Sequence, residues 1–343
     1  MAVRDSRIIC VALAFASAAM VSVCPAAAQT AIRFTLAGPY EGPVAPYLVA
    51  EDKGYYQRNA LSVRIEPGAN AIEPITRVSS GAFQMGVADL NLVMRWREQN
   101  PAAPQVTPVF IVYNRAPYAI IARKSRGLAL PKDLEGKRLG APANSASSAQ
   151  WPLFARLNGI DSAKVRVEPV GIPVRDPMLA AGQIDAITAF TFRSYLDLKD
   201  RGVPVNDLLV WRMSDFGLHV YGNAIIVNNK FATDNPQAVA GFLAAFVGGL
   251  KDTVASPVAA VASVLQRNEV AKREVEQERL RMALRENILT PEVRANGYGG
   301  VDAARLQAAI DQQALIVRFR TKPTPAQVFD GSFLPPAEQR KVN

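Results

Sequence analysis

Cysteine and histidine are almost missing from this chain: 343 residues hold two of the first and one of the second. Both cysteines, Cys10 and Cys24, fall in the first 28 residues. There Arg4 and Arg7 precede an apolar run from Ile8 to Val23, and Ala26-Ala27-Ala28 supplies an A-x-A cleavage site, which is the layout of a secretory signal peptide. Cleavage after Ala28 leaves a mature chain, beginning at Gln29, with no cysteine, which excludes disulfides, thiolate metal sites and a cysteine nucleophile. Lipidation at Cys24 is disfavoured because Val23 stands where a lipoprotein signal wants a small residue. His219 alone makes neither a histidine metal site nor a Ser-His-Asp triad, and it reads as a hydrogen-bonded residue at a strand edge. No long run of one charge occurs, so nucleic acid is a poor partner. After Val23 no segment reads as long and apolar enough to span a bilayer.

What is present is an excess of positive charge and a repeat. The formal charge is +9, and losing the two arginines and one aspartate of the first 28 residues leaves +8. An exported basic protein suits anionic ligands or surfaces. The stretch VRIEP at 63–67 returns as VRVEP at 165–169; SSGAFQMGVA (79–88) is echoed by AAGQIDAITA (180–189), and IRFTLAG (32–38) by KRLGAPA (137–143). Each unit reads strand, helix, strand, helix, strand, with Gly81 and Gly182 just past the second helix. Alternating strands and helices imply parallel βαβ units. The expected fold is therefore α/β: two similar lobes with mixed, mostly parallel sheets. They are joined by a two-strand hinge, where the chain crosses near Asn114 and returns near Tyr221. Residues 29–114 and 221–321 form the first lobe, 115–220 the second, and 322–343, with four prolines, a surface-hugging tail. Helical patterns at 234–252, 256–266, 269–287 and 302–315 are expected to pack on the first lobe or its rim. KREVEQERLRMALREN (272–287), with both charges at helical spacing, reads as a solvated face.

Ligands of open α/β sheets sit beyond the carboxyl ends of the strands. Six loops meet that description here: 38–41, 68–70, 88–89, 144–148, 172–175 and 190–192. Tyr40 and Glu41 stand in a Gly/Pro-rich loop with little core to join, and Asn70 lies in the second loop. Asp89 either caps the helix that follows or accepts from a ligand amine, and both roles can coexist. In GAPANSASSAQW (140–151), Asn144 or Ser145 is an N-cap. The free N–H groups of the turn after it, with the Ser147 and Ser148 hydroxyls, either hold an anion or polarised oxygen or simply cap the helix. Trp151 stacks on a planar ligand or anchors the core, Arg175 pairs a carboxylate or sulfonate or a surface neighbour, and Phe190 and Phe192 wall the cleft or fill the core. Tyr221 and Asn223 lie on the return crossing, at the cleft floor.

The segments AEDKGYYQRNALSVRIEPG, VSSGAFQMGVADLN, PKDLEGKRLGAPA, LAAGQIDAITAF and YGNAIIVNNKFATDNPQAV together resemble the periplasmic solute-binding proteins of ABC importers. The group is that of nitrate, sulfonate and taurine binders, which also takes in binders of thiamine-pyrimidine precursors and the thiamine-pyrimidine synthases. The resemblance runs from about Ile32 to Pro335. It implies the type II periplasmic binding fold, closure of two lobes on a small-molecule ligand, an inner-membrane ABC permease with its ATPase as partner, a monomer, and no cofactor. The expected ligand is a small, planar or anionic organic solute. Two alternatives stand beside this: a thiamine-pyrimidine-synthase-like enzyme, against which the missing cysteines and the position of His219 speak, and a sensor or adaptor for a membrane receptor.

Overall fold

The computed structural model describes residues 29–342; the expected signal peptide, with Cys10 and Cys24, lies outside the described residues. Ten strands form two five-stranded sheets. The first contains β1 (Thr30–Thr35), β2 (Leu61–Glu66), β3 (Met85–Asp89), β4 (Val106–Ile111) and β10 (Asn223–Asn228), in the order β2-β1-β3-β10-β4. The second contains β5 (Tyr118–Arg123), β6 (Arg138–Gly140), β7 (Arg166–Glu168), β8 (Ala186–Phe190) and β9 (Leu208–Arg212), in the order β7-β6-β8-β5-β9. The two orders are the same arrangement. In each, three parallel strands flank one antiparallel strand that arrives from the other lobe, and a fifth strand pairs antiparallel beyond it. The repeated segments fall on equivalent strands: β1 with β6, β2 with β7, β3 with β8.

The central strands read as apolar runs because helices cover both faces. AIIV in β10 and YAIIA in β5 are wholly buried. Gly81 and Gly182 follow the second helix of each unit at φ +78° and +71°, the left-handed conformation that ends a helix without a Cβ clash.

Two expectations are corrected in the C-terminal half. The helix Pro236–Ala255 is long and apolar enough to cross a membrane, with mean hydropathy 1.4. Its apolar character instead reflects a core position. Phe242 stacks on Phe34 and Tyr56 at 4.9 and 5.0 Å, and Phe246 meets Tyr47 at 4.4 Å. The backbone of the helix Ala45–Asp52 comes so close that a Cβ on Gly249 would lie 2.2 Å from the Pro46 carbonyl oxygen. The charged helix Arg273–Ala283 is not a solvated face. Glu276 and Arg279 are only 5% and 4% exposed, and the helix packs between the lobes. Charge alternation marks a surface helix only where no partner carries the opposite charges, and here both lobes do. The tail lies on the first lobe: Val328 and Phe329 are buried, and the Asp330 N–H donates to the Pro108 carbonyl on the outer edge of β4.

Candidate functional site

Where the strands of both lobes end, a cavity of about 480 Å³ opens between them. The first lobe contributes the loop after β1, with Gly38, Pro39 and Glu41, the loop after β2, with Gly68 and Asn70, and Asn223 from the return crossing. The second contributes Asn144, Ser145 and Ser147 after β6, Arg175 and Asp176 after β7, Phe190 at the end of β8 and Arg193 after it.

The lobes touch across this cavity. Arg193 donates from two nitrogens to Glu41 Oε2, at 3.0 and 2.7 Å, and the Ala71 N–H reaches the Asn144 carbonyl at 3.2 Å. Beside them the Arg273–Ala283 helix ties into both lobes. Glu276 Oε2 accepts from the Gly42 N–H at 2.6 Å, while Arg279 donates to Glu276, to Asp197 at 2.9 Å and to the Phe192 carbonyl at 3.2 Å. Burial raises the pKa values of Glu276 and Asp197, and Arg279 works against the rise in each. Burial disfavours charge on Arg279, yet Glu41, Glu276 and Asp197 together hold its pKa above the ordinary value.

Two of the three arginines of the cavity wall are paired with acids. Arg175 chelates Asp176 through Nε at 2.8 Å and also donates to the Thr188 carbonyl and the Ser194 hydroxyl, so its donors are occupied within the second lobe. Arg193 is paired with Glu41. Arg201 also lines the wall, but Asp197 is held by Arg279, so the wall counts three arginines and three acids without an ion pair for Arg201 among the described residues. The wall is therefore polar but balanced, although the chain as a whole is strongly basic.

Of the residues expected from sequence, the cavity gathers Glu41, Asn70, Asn144, Ser145, Ser147, Arg175, Phe190 and Asn223, and Phe192 lines a smaller recess that opens from it. Four lie elsewhere. The Tyr40 hydroxyl turns away and donates to the Ile65 carbonyl. Asp89 caps the helix Leu90–Gln99, accepting from the Asn91 and Leu92 N–H groups and from the Tyr118 hydroxyl, and is 1% exposed. Trp151 is a core residue beside Phe154, because Pro152 lacks an N–H and the helix restarts at Trp151 instead of running on from Ala146–Ala149. Tyr221 is wholly buried, its hydroxyl donating to Glu292 and accepting from the Asp302 N–H. Within the short turn, Ser145 takes the N-cap position without a side-chain capping bond; its hydroxyl meets that of Ser147 at 2.9 Å. His219 is exposed, in a loop before β10, and borders a separate cavity with Asn114 and Glu292.

Sequence reasoning missed Arg193, Asp176 and Asp197. Arg193 follows Phe192 directly, so extending the strand-end rule by one residue finds it. Asp197, one helical turn further, becomes visible only with its partner Arg279 in place.

The model of the NMT1/THI5-like family matches residues 42–260. The riboflavin-binding protein RibY of Chloroflexus aurantiacus is 28% identical over 71% of this chain and 68% of its own length. The formylaminopyrimidine-binding protein of Halalkalibacterium halodurans is 24% identical over 79% and 81%. A 4-amino-5-hydroxymethyl-2-methylpyrimidine phosphate synthase of Schizosaccharomyces pombe is 23% identical over 65% and 64%. Among solved structures, the periplasmic aliphatic sulphonate binding protein of Escherichia coli aligns with TM-score 0.68 at 14% identity, covering 87% of this chain and 91% of that one. The periplasmic nitrate-binding protein of Synechocystis PCC 6803 aligns with TM-score 0.63 at 11% identity, covering 85% and 86%. Both share the fold of this chain.

Proposed function

The chain belongs to the NMT1/THI5-like family, and from that premise we propose that it is an exported, periplasmic solute-binding protein that captures a small organic ligand between its lobes and presents it to an inner-membrane ABC permease with its ATPase. One observation carries the reading: a cavity of about 480 Å³ takes its wall from both lobes and is bridged by the Glu41–Arg193 ion pair. The volume falls in the range of small-molecule sites, roughly 300–1,000 Å³. A ligand held there contacts both lobes only when they are together, so its binding energy favours the closed state over the open one. A permease that reads the spacing of the lobes then distinguishes loaded from empty protein.

The balanced wall favours an uncharged or zwitterionic ligand over a bare inorganic anion. An anion entering between Glu41, Asp176 and Asp197 finds the Arg175 and Arg193 donors already taken and, among the described residues of the wall, meets an unpaired guanidinium only at the exposed Arg201. Polar groups that both donate and accept, on a planar organic frame, suit the amides and hydroxyl of Asn70, Asn144, Ser145 and Asn223 that line the cavity, with Phe190 as an apolar wall. The relatives named for riboflavin and formylaminopyrimidine support that class. A synthase reading has less support, since His219 lies outside this cavity.

Native mass spectrometry of the exported protein, followed by denaturing release, tests the proposal. A stoichiometric heteroaromatic compound released unchanged is the expected result. Conversion of a precursor to a pyrimidine phosphate by the purified protein overturns it in favour of an enzyme. A bound nitrate or simple alkyl sulfonate overturns the ligand class.

A further inference from the structure

Both ends of β10 carry an asparagine, and the two are equally buried: Asn223 and Asn228 are each 8% exposed. Asn228 uses its whole side chain. Its Oδ1 accepts from the Phe231 N–H at 3.1 Å and its Nδ2 donates to the Val78 carbonyl at 2.9 Å, so it caps the next helix and ties β10 to the helix Glu73–Ser79. Asn223 has no such use. Its carbonyl accepts from the Val112 and Tyr113 N–H groups at 2.9 and 3.0 Å, which pins it to the outgoing crossing, but its side-chain amide makes no hydrogen bond among the described residues.

Buried polar side chains are nearly always paired, and asparagine is a poor strand residue, so neither folding nor propensity accounts for Asn223. Its amide oxygen and nitrogen are not sealed in the core. Both keep accessible surface, and the residue borders the main cavity and the smaller recess that opens from it. Backbone pairing with Asp89 on β3 fixes the position of that amide on the first lobe. From the second lobe Phe190 borders the same two spaces. It is half-buried, and its ring is held at 5.8 Å from Phe192 and 5.9 Å from Tyr118. One lobe thus supplies a free amide and the other a partly open ring, at a common boundary.

We propose that Asn223 is the specificity-determining residue of the cleft: its amide pairs bidentately with an edge of a planar ring that carries a hydrogen-bond donor beside an acceptor, while the face of that ring lies on Phe190. The inference rests on the solute-binding reading above and adds the chemistry by which the ligand is told apart. A primary amide offers one donor and one acceptor side by side, whichever way it is turned. Its complement is a lactam, or an amino group next to a ring nitrogen, as in the pairing of asparagine with adenine. A sulfonate, carboxylate or nitrate presents acceptors only, so one of its oxygens would face Oδ1. The guanidinium that borders the same spaces, Arg193, is already held by Glu41 and gives that oxygen no compensation. A ring touched by Asn223 of the first lobe and Phe190 of the second also holds the lobes together, which favours the closed state.

The test uses ring compounds with and without the donor of that edge. Riboflavin carries the edge at its ring imide, and 3-methylriboflavin has lost the imide N–H. 4-amino-5-hydroxymethyl-2-methylpyrimidine carries it at its amino group, and the 4-dimethylamino analogue does not. These four and ethanesulfonate are titrated into wild type, Asn223→Leu and Asn144→Trp, the last placing a bulky group in the cavity wall. Wild type is expected to bind one of the two parent rings more tightly than ethanesulfonate, and roughly tenfold more tightly than its methylated analogue. In Asn223→Leu that parent and its analogue should bind with equal affinity, a loss of discrimination that a merely structural role would not produce. Asn223→Ala serves the same comparison if leucine is not accommodated. A variant at 223 that still prefers the parent ring as wild type does overturns the inference, while loss of binding in Asn144→Trp keeps the cleft as the site. Undiminished binding in Asn144→Trp overturns the cleft reading itself. Preference of wild type for ethanesulfonate, or binding of none of the five probes, overturns the donor–acceptor class.

Discussion

At Glu41 one carboxylate neutralises Arg193 in the cavity wall and bridges the lobes, with side chains 15% and 24% exposed. Glu41→Gln keeps the shape and leaves the guanidinium uncompensated, which turns a balanced wall into a net positive one. An aliphatic sulfonate should then bind about three- to tenfold more tightly than to wild type, and its affinity should fall more steeply with added salt, since partly exposed charges are screened. Titration calorimetry at low and high salt measures both effects; equal sulfonate affinity in the two proteins would show that Arg193 does not face the ligand. Asp89 shows a contrasting use of a carboxylate at the end of a strand. It spends its acceptors on the Asn91 and Leu92 N–H groups and the Tyr118 hydroxyl, and burial raises its pKa against those bonds. It serves the helix start, not the cavity.

Among the elements, the repeated helix ends and the charged helix behave in opposite ways. Gly81 and Gly182 occupy equivalent left-handed positions, so alanine at either should cost about 1–2 kcal/mol by backbone strain. Gly81→Ala meets no atom within 4 Å, whereas Gly182→Ala also meets the Arg126 guanidinium at 3.3 Å, so the second substitution should cost at least as much as the first. Denaturant unfolding of the two variants checks this. The Arg273–Ala283 helix acts as a strut because its Glu276 holds the Gly42 N–H of the first lobe while its Arg279 serves Asp197 and Phe192 in the second. Arg279→Ala leaves the buried Glu276 and the half-buried Asp197 without their cation, a loss of about 3 kcal/mol. Ligand-free Arg279→Ala should also show a larger radius of gyration in solution scattering, because a tie between the lobes is gone; an unchanged radius with lowered stability would mean that the helix supports the core alone.

For the whole molecule, closure and pH are coupled through the same acids. Burial raises the pKa values of Glu276 and Asp197, so the folded protein binds their protons more readily than the unfolded chain does. Their contribution to stability is thus greatest below the ordinary carboxylate values and is withdrawn as pH rises from there through the raised folded values. Relative to wild type, Glu276→Gln should therefore gain stability as pH rises from about 4 to 7. Melting curves across that range decide the matter, and a gain on acidification would show instead that attraction to Arg279 outweighs burial. Saturating ligand should stabilise the protein by about 2.7 kcal/mol at a hundredfold excess over Kd. It should also reduce the radius of gyration of any open population.

By itself the sequence determined the two-lobe α/β plan, because βαβ units announce themselves locally: VRIEP and VRVEP, the strand-end loops and the two helix-ending glycines each occupy a few adjacent residues. The strand-end rule likewise placed Glu41, Asn70, Asn144, Ser145, Arg175, Phe190 and Asn223 at one cavity. Only the tertiary structure decided what their side chains do there. Tyr40 and Trp151 satisfy every local criterion for a cleft residue, yet the Ile65 carbonyl, on another strand, takes the first away and a core gathered from distant segments buries the second. Glu276 and Arg279 satisfy every local criterion for solvent exposure and are buried, because Gly42, Phe192 and Asp197 arrive from distant parts of the chain. Backbone conformation and helix ends depend on neighbours within a turn and are written in short segments. Charge pairing and burial depend on which surfaces meet when two lobes fold against a common helix, and no window of sequence contains both surfaces.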